Sequence, residues 1–269
     1  MTGVAFPPAS TLADRALALL RAGPQPSLAL TRDVMGLLEV PPAIADRLAV
    51  ALLGADPRAH QLPDGRWAAV LEAAGSPLLE ECAFAVVDVE TTGMHAAGED
   101  RITEIAVVVV QGSQRRVVVD TLVNPGRPIP ALITAITGIS DAMVADAPSF
   151  DEVADEVAGA LAGRVFVAHN ARFDWGFVGH SLRRTRGVAL TGPRLCTVRL
   201  ARRLVAGLPS ASLDSLIQRF ALEIVARHRA AGDALATAEL LLRLLPLARD
   251  RGARTMADVE SLVARRKSA

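Results

Sequence analysis

Residues 84–93 read FAVVDVETTG. The run starts as a strand with apolar side chains on both parities, the mark of a strand covered on both faces. It then places two carboxylates, Asp88 and Glu90, just before a turn. Side chains alternate across a strand, so residues two apart share a face. Asp88 and Glu90 therefore point the same way at the C-terminal end of the strand, where open α/β sheets gather their ligands. Two like charges this close drive one another toward the protonated form. A divalent cation removes that penalty, and carboxylate oxygens suit Mg²⁺ or Mn²⁺. Two exposed acids at a strand end are the plainer account of a lone D-x-E, so the rest of the chain decides.

Working outward, ITEIAVVVVQG (102–112) and RRVVVDTLVNP (115–125) read as two further strands, with Gly112-Ser113 at the turn between them. The three make an antiparallel meander. Ser149 and Glu152 form a capping box, and Val153, Val157 and Leu161 are the buried stripe of the helix that follows. RVFVA (164–168) is a fourth strand, and helices are expected at 172–186, 194–206, 212–221 and 233–249. Strands, then a helix, a parallel strand and more helices specify an α/β class with a mixed sheet flanked by helices.

Two more stretches carry polar chemistry. HNARFD (169–174) follows the fourth strand, placing His169 and Asn170 in the strand-to-helix turn and Asp174 in the first turns of the helix. HRAAGDAL (228–235) puts His228 five residues before Asp233, which opens the last long helix. Each acid is also the kind a helix N-terminus favours. His228, in the preceding loop, is able to titrate near neutral pH.

The first third has another character. Residues 11–22, 28–39 and 43–53 have helical spacing, Pro41 and Pro42 start the third helix, and Asp64-Gly65 within 58–70 signals a hairpin. Three short helices and a hairpin resemble a winged-helix module. That gives a small, mainly helical domain at 1–72, a linker at 73–82 containing Gly75 and Pro77, the α/β domain at 83–250, and a C-terminal helix with a basic tail at 251–269. DNA binding and protein docking both stay open for the first module, whose wing offers only Arg58 and Arg66.

DVETTG, HNARFD and H-x-x-x-x-D, in this order, resemble the DEDD exonucleases with an RNase H-like fold. The histidine form of the last motif is similar to the DEDDh branch, which includes the proofreading (epsilon) subunit of bacterial DNA polymerase III. Lesser likenesses are ITEIAVV, ITGIS onward from 136, and CTVRLARRL at 196–204; the resemblance covers about 83–249. The resemblance implies four metal-binding carboxylates, Asp88, Glu90, Asp174 and Asp233, with His228 as general base and two Mg²⁺ or Mn²⁺ ions as cofactors. It places Thr91, Thr92, His169, Asn170 and Phe173 near the terminal nucleotide. The implied reaction is 3′→5′ hydrolysis of single-stranded nucleic acid ends, DNA before RNA, in proofreading or repair, with a polymerase subunit as a possible partner. Alternatives are an exoribonuclease of the oligoribonuclease type, or a binding or docking protein with secondary hydrolysis. Relatives often carry Leu where Ala231 stands, a packing change that leaves the histidine-to-aspartate spacing intact.

Composition bounds the rest. Apolar residues make up 51% of 269 residues, and no apolar run reaches the roughly 18 residues that span a membrane. Cys82 and Cys196 form no CxxC, and the N-terminus has no basic region followed by an apolar stretch, so a reduced, cytoplasmic protein without a signal peptide is expected. Zero net charge hides an asymmetry: 6 Arg and 9 acids (−3) in 1–82, 6 and 13 (−7) in 83–179, 17 basic residues and 7 acids (+10) in 180–269. An acidic middle collects cations, and the Arg-rich final third would hold the backbone of a single strand.

Overall fold

The computed structural model describes residues 11–20, 23–56, 58–62, 64–69, 76–222 and 229–264. His228, residues 1–10 and the basic end at 265–269 lie outside the described residues. The chain divides into two compact units, one at Pro7–Gly75 and the other beginning at Ser76.

The first unit packs α1 (Leu12–Leu20), α2 (Ser27–Asp33) and α3 (Pro42–Leu53) with a hairpin of β1 (Ala59–Gln61) and β2 (Trp67–Ala69). Its core is small: Ala16, Leu20, Leu30, Val34, Ala49, Leu53 and Trp67. Gln25, between α1 and α2, exchanges two backbone hydrogen bonds with Trp67 at 2.9 and 2.8 Å, adding a one-residue third strand to the hairpin. The second helix is shorter than the 28–39 expected from periodicity. Gly36 adopts φ 77 and Leu37 N–H closes back on the Thr31 carbonyl, so the apolar spacing runs on into a loop that leaves Leu38 81% exposed.

The second unit is built on a five-stranded sheet of order β5-β4-β3-β6-β7 among the described residues. Its strands are β3 (Ala83–Thr91), β4 (Ile102–Gln111), β5 (Gln114–Leu122), β6 (Val165–Ala168) and β7 (Arg194–Cys196). β3, β4 and β5 form the antiparallel meander, while β6 and β7 run parallel to β3. The helices are α4 (Ala131–Thr137), α5 (Asp141–Val144), α6 (Phe150–Leu161), α7 (Arg172–Arg186), α8 (Thr197–Leu204), α9 (Leu213–Phe220), α10 (Ala230–Asp250) and α11 (Met256–Ala264). The mixed sheet with helices on both faces is the expected α/β architecture, and the Ser149–Glu152 capping box starts α6.

Strand parity sorts the core. Phe84 and Val86, with Ala106 and Val108 of β4, pack beneath α8, α9 and α10. Ala85, Val87 and Val89, with Ile105 and Val107, pack against α6 and α7. Nine of the ten residues of β4 are buried, and each buried Val or Ile contributes about 1.5–3 kcal/mol of transfer free energy. Residues 77–79 bond to the start of α11: Leu79 N–H donates to the Arg254 carbonyl (2.9 Å) and Met256 N–H to that of Pro77 (3.2 Å).

Two boundaries differ from the sequence expectation. The helix expected over 194–206 begins as a strand, because Arg194, Leu195 and Cys196 pair with β6 and close the sheet edge before α8 starts at Thr197. Three residues are too few to show a period. The last long helix starts at Ala230 rather than Asp233, for a reason found on β4.

Candidate active site

Asp88 and Glu90 stand on the face of β3 that α10 covers, in line with Phe84 and Val86. Asp233, in the first turn of α10, descends onto the same face. The result is a group of three carboxylates, each offering an oxygen within 4.8 Å of the others. Asp233 is buried, and Asp88 and Glu90 are partly so. The donor set is all oxygen and all anionic, which matches the hard-ligand chemistry of Mg²⁺ or Mn²⁺.

Asp174 arrives from the opposite face. It lies in the first turn of α7, which packs on the Val87–Val89 side of the sheet, and it is 4% exposed. Burial pushes its carboxyl up to about 8, against hydrogen bonds from its own N–H and that of Val89, and the charge of Glu90 adds to the rise. Asp174 thus feels the charge of the acid cluster through Glu90 but stands outside the 4.8 Å group. Of the residues expected to act, His228 lies outside the described residues.

Glu104 is a residue that sequence reasoning passed over. It sits on β4 directly opposite Glu90 and is 1% exposed. Its carboxylate accepts from Arg229 Nε (2.9 Å) and Nη2 (2.6 Å) and from the Ala230 backbone N–H (2.9 Å). It is therefore the anion at the N-terminus of α10, the role that the sequence left to Asp233. With the helix capped from β4 and started three residues earlier, Asp233 faces the site instead. The signal was present in ITEIAVV, where a single charge interrupts a buried strand.

The turn after β3 is built by its own threonines. A bulge in the β3–β4 ladder falls between Glu90 and Thr91, and bulges re-aim side chains at strand ends. Thr91 Oγ1 donates to the Gly93 carbonyl (2.5 Å), while Thr92 Oγ1 bonds Asp100 (3.3 Å) and accepts from Arg101 N–H (3.0 Å). Both hydroxyls are buried. A Cβ on Gly93 would run into the Asp100 carboxylate, which also receives His95 N–H at 2.9 Å, so the motif needs glycine for close approach. Across the β6–α7 turn, His169 Nδ1 lies 2.9 Å from Thr197 Oγ1, Asn170 adopts φ 81, and half-buried Phe173 packs on Phe177 with ring centroids 4.8 Å apart.

The sequence model of the exonuclease family matches residues 85–241, more than half of the chain, and spans Asp88, Glu90, Asp174 and Asp233. The chain belongs to the exonuclease family. A DNA polymerase III subunit epsilon-like protein of Rhodobacter capsulatus is 45% identical over 188 residues, covering 67% of this chain and 26% of that protein. A putative bifunctional exonuclease/endonuclease protein of Mycobacterium tuberculosis is 40% identical, covering 68% of this chain and 30% of that protein. The chain thus spans less than a third of the length of these relatives. Among solved structures, Exonuclease X in complex with 5′ overhanging duplex DNA aligns with a TM-score of 0.53 and 30% identity, over 67% of this chain and 99% of that one. The exonuclease match falls wholly in the second unit. No helix among the described residues is long and apolar enough to cross a membrane.

Proposed function

We propose that this chain hydrolyses phosphodiester bonds from the 3′ end of single-stranded nucleic acid, DNA in preference to RNA, as a proofreading or repair exonuclease. The observation that carries this reading is the Asp88–Glu90–Asp233 cluster at the sheet end of an exonuclease-family domain. Asp88, Glu90 and Asp233, joined by Asp174 from the other face of the sheet, would hold two divalent cations, Mg²⁺ or Mn²⁺. Bound there, the cations supply Lewis acidity at the phosphoryl group and a nucleophile at neutral pH. His228 would take a proton from the attacking water, since an imidazole pKa near the working pH suits a general base. Phe173 offers a partly exposed ring for stacking the terminal base. Thr91 and Thr92, whose hydroxyls brace the turn, would present backbone rather than side chain to the terminal nucleotide, opposite His169 and Asn170.

The first unit fits a winged-helix-like module: three helices, a hairpin, and a third strand position at Gln25. Its role here is docking, to a polymerase subunit or a comparable protein. The test of the main reading compares 5′-labelled single-stranded DNA and RNA of one sequence, with Mg²⁺ and with EDTA. The expected result is a metal-dependent ladder shortening from the 3′ end, faster on DNA and absent in Asp88→Ala. Products released from the 5′ end, or equal hydrolysis by the variant, would refute it.

A further inference from the structure

Beside the acid cluster, on the same edge of the sheet, a cavity of about 540 Å³ opens between the β6–α7 turn, the β7–α8 junction and α11. Four arginines line it: Arg172 from α7, Arg194 from β7, and Arg199 and Arg202 from α8. Arg202 also borders a second cavity of about 450 Å³ with Arg203 and Gly207, so the two adjoin along α8. Among the described residues the single acid on the wall is Glu260.

These four arginines are held differently from those that the fold pairs with acids. Arg58, Arg66, Arg186 and Arg229 each meet a carboxylate within 3.0 Å. None of the groove arginines meets one among the described residues. Arg194 instead lies over the Trp175 ring, 5.4 Å from its centroid, and Arg199 donates to the Val263 carbonyl at 3.3 Å. Arg172 and Arg202 have no hydrogen-bonding partner among the described residues. Gathering like charges around a concave surface is unfavourable unless a polyanion settles there.

Position says which polyanion. Asn170, at the end of β6, lines the groove and lies four residues before Asp174. From β3, where the acids stand, to β7 at the groove is two strand spacings, roughly 10 Å. A cavity of this size admits one strand rather than a duplex. We propose that the groove holds the phosphodiester backbone of a single strand, 5′ to the nucleotide being removed. This inference rests on the exonuclease reading for its direction along the strand.

The test uses the full chain in EDTA, so that nothing is cleaved, and titrates a labelled oligothymidylate long enough to cross the sheet edge. For Arg199→Gln/Arg202→Gln, binding is expected to weaken about tenfold at low salt. The slope of log K against log salt should fall by about 1.4, from roughly 0.7 per phosphate contact on a single strand. With Mg²⁺, turnover of the oligothymidylate should fall relative to that of the p-nitrophenyl ester of thymidine 5′-monophosphate, which is too short to reach the groove. An unchanged affinity and slope would overturn the proposal. So would an equal loss on both substrates, which would report damage to the fold, or an equal loss of duplex binding, which would give the groove to a different ligand. If the wild-type protein bound the strand through these arginines yet hydrolysed neither substrate, the groove would stand and the hydrolytic reading would fail.

Discussion

Arginines in the two units are held differently. In the first unit, Arg32, Arg58 and Arg66 each lie 2.6–2.7 Å from an aspartate two or fewer residues away in sequence, while Arg15 and Arg47 on α1 and α3 have no acid partner among the described residues. On the β7 edge of the second unit, Arg172, Arg194, Arg199 and Arg202 share one groove with no carboxylate partner among the described residues. An anionic strand approaching the hairpin meets aspartates that repel it and that already hold the guanidinium groups. An anionic strand approaching the groove meets uncompensated charge. Local charge balance, more than the count of arginines, thus separates a solvated surface from one prepared for a polyanion.

The sharpest way to break this comparison is to remove the centre that gives the groove its purpose. Asp88→Ala should reduce hydrolysis to background while the thermal transition stays cooperative, and single-strand binding in EDTA should persist through the arginines. Activity retained in that variant would detach the groove from any reaction at β3. Next comes Glu104→Gln, which leaves Arg229 and the Ala230 N–H with a weaker acceptor. Supporting contacts around metal ligands typically govern 10–100-fold in metal affinity or activity. The expected loss is about that size, with the Mg²⁺ concentration for half-activity raised and Mn²⁺ binding by calorimetry weakened in step. A loss of activity without a change in Mn²⁺ binding would remove Glu104 from its supporting role.

Smaller effects are expected from the arginine pairs themselves. Against the roughly tenfold loss for the groove pair, Arg58→Gln/Arg66→Gln should alter single-strand affinity by less than about twofold, because exposed ion pairs contribute only ~0–1 kcal/mol and their arginines are already neutralised. Equal losses for the two pairs, measured by the same titration, would erase the difference between the units. The smallest expected change is in stability: Ser149→Ala should cost about 1 kcal/mol through the α6 cap, read as a lower denaturation midpoint with hydrolysis retained.

Much of this was legible in the chain. FAVVDVE announced a strand buried on both faces, the capping box announced α6, and two-residue spacing put Asp88 and Glu90 on one face. β7 was not legible, since Arg194–Cys196 is too short for a pattern and is a strand only because β6 lies beside it. Glu104 shows in the sequence as a lone charge in a buried strand, but its partner, 125 residues away, does not.

The sequence by itself determined the longer elements, their order and the residue types at the sheet end, because those follow from local periodicity and from alternation along a strand. Tertiary structure decided which acids meet. Asp233 joins Asp88 and Glu90 because α10 covers the even face of β3, while Asp174 comes up through Val89 from the odd face. It also decided that four arginines scattered over 172–202 share one groove. Contacts of this kind depend on which helix covers which face, and that is set by packing the whole sheet at once.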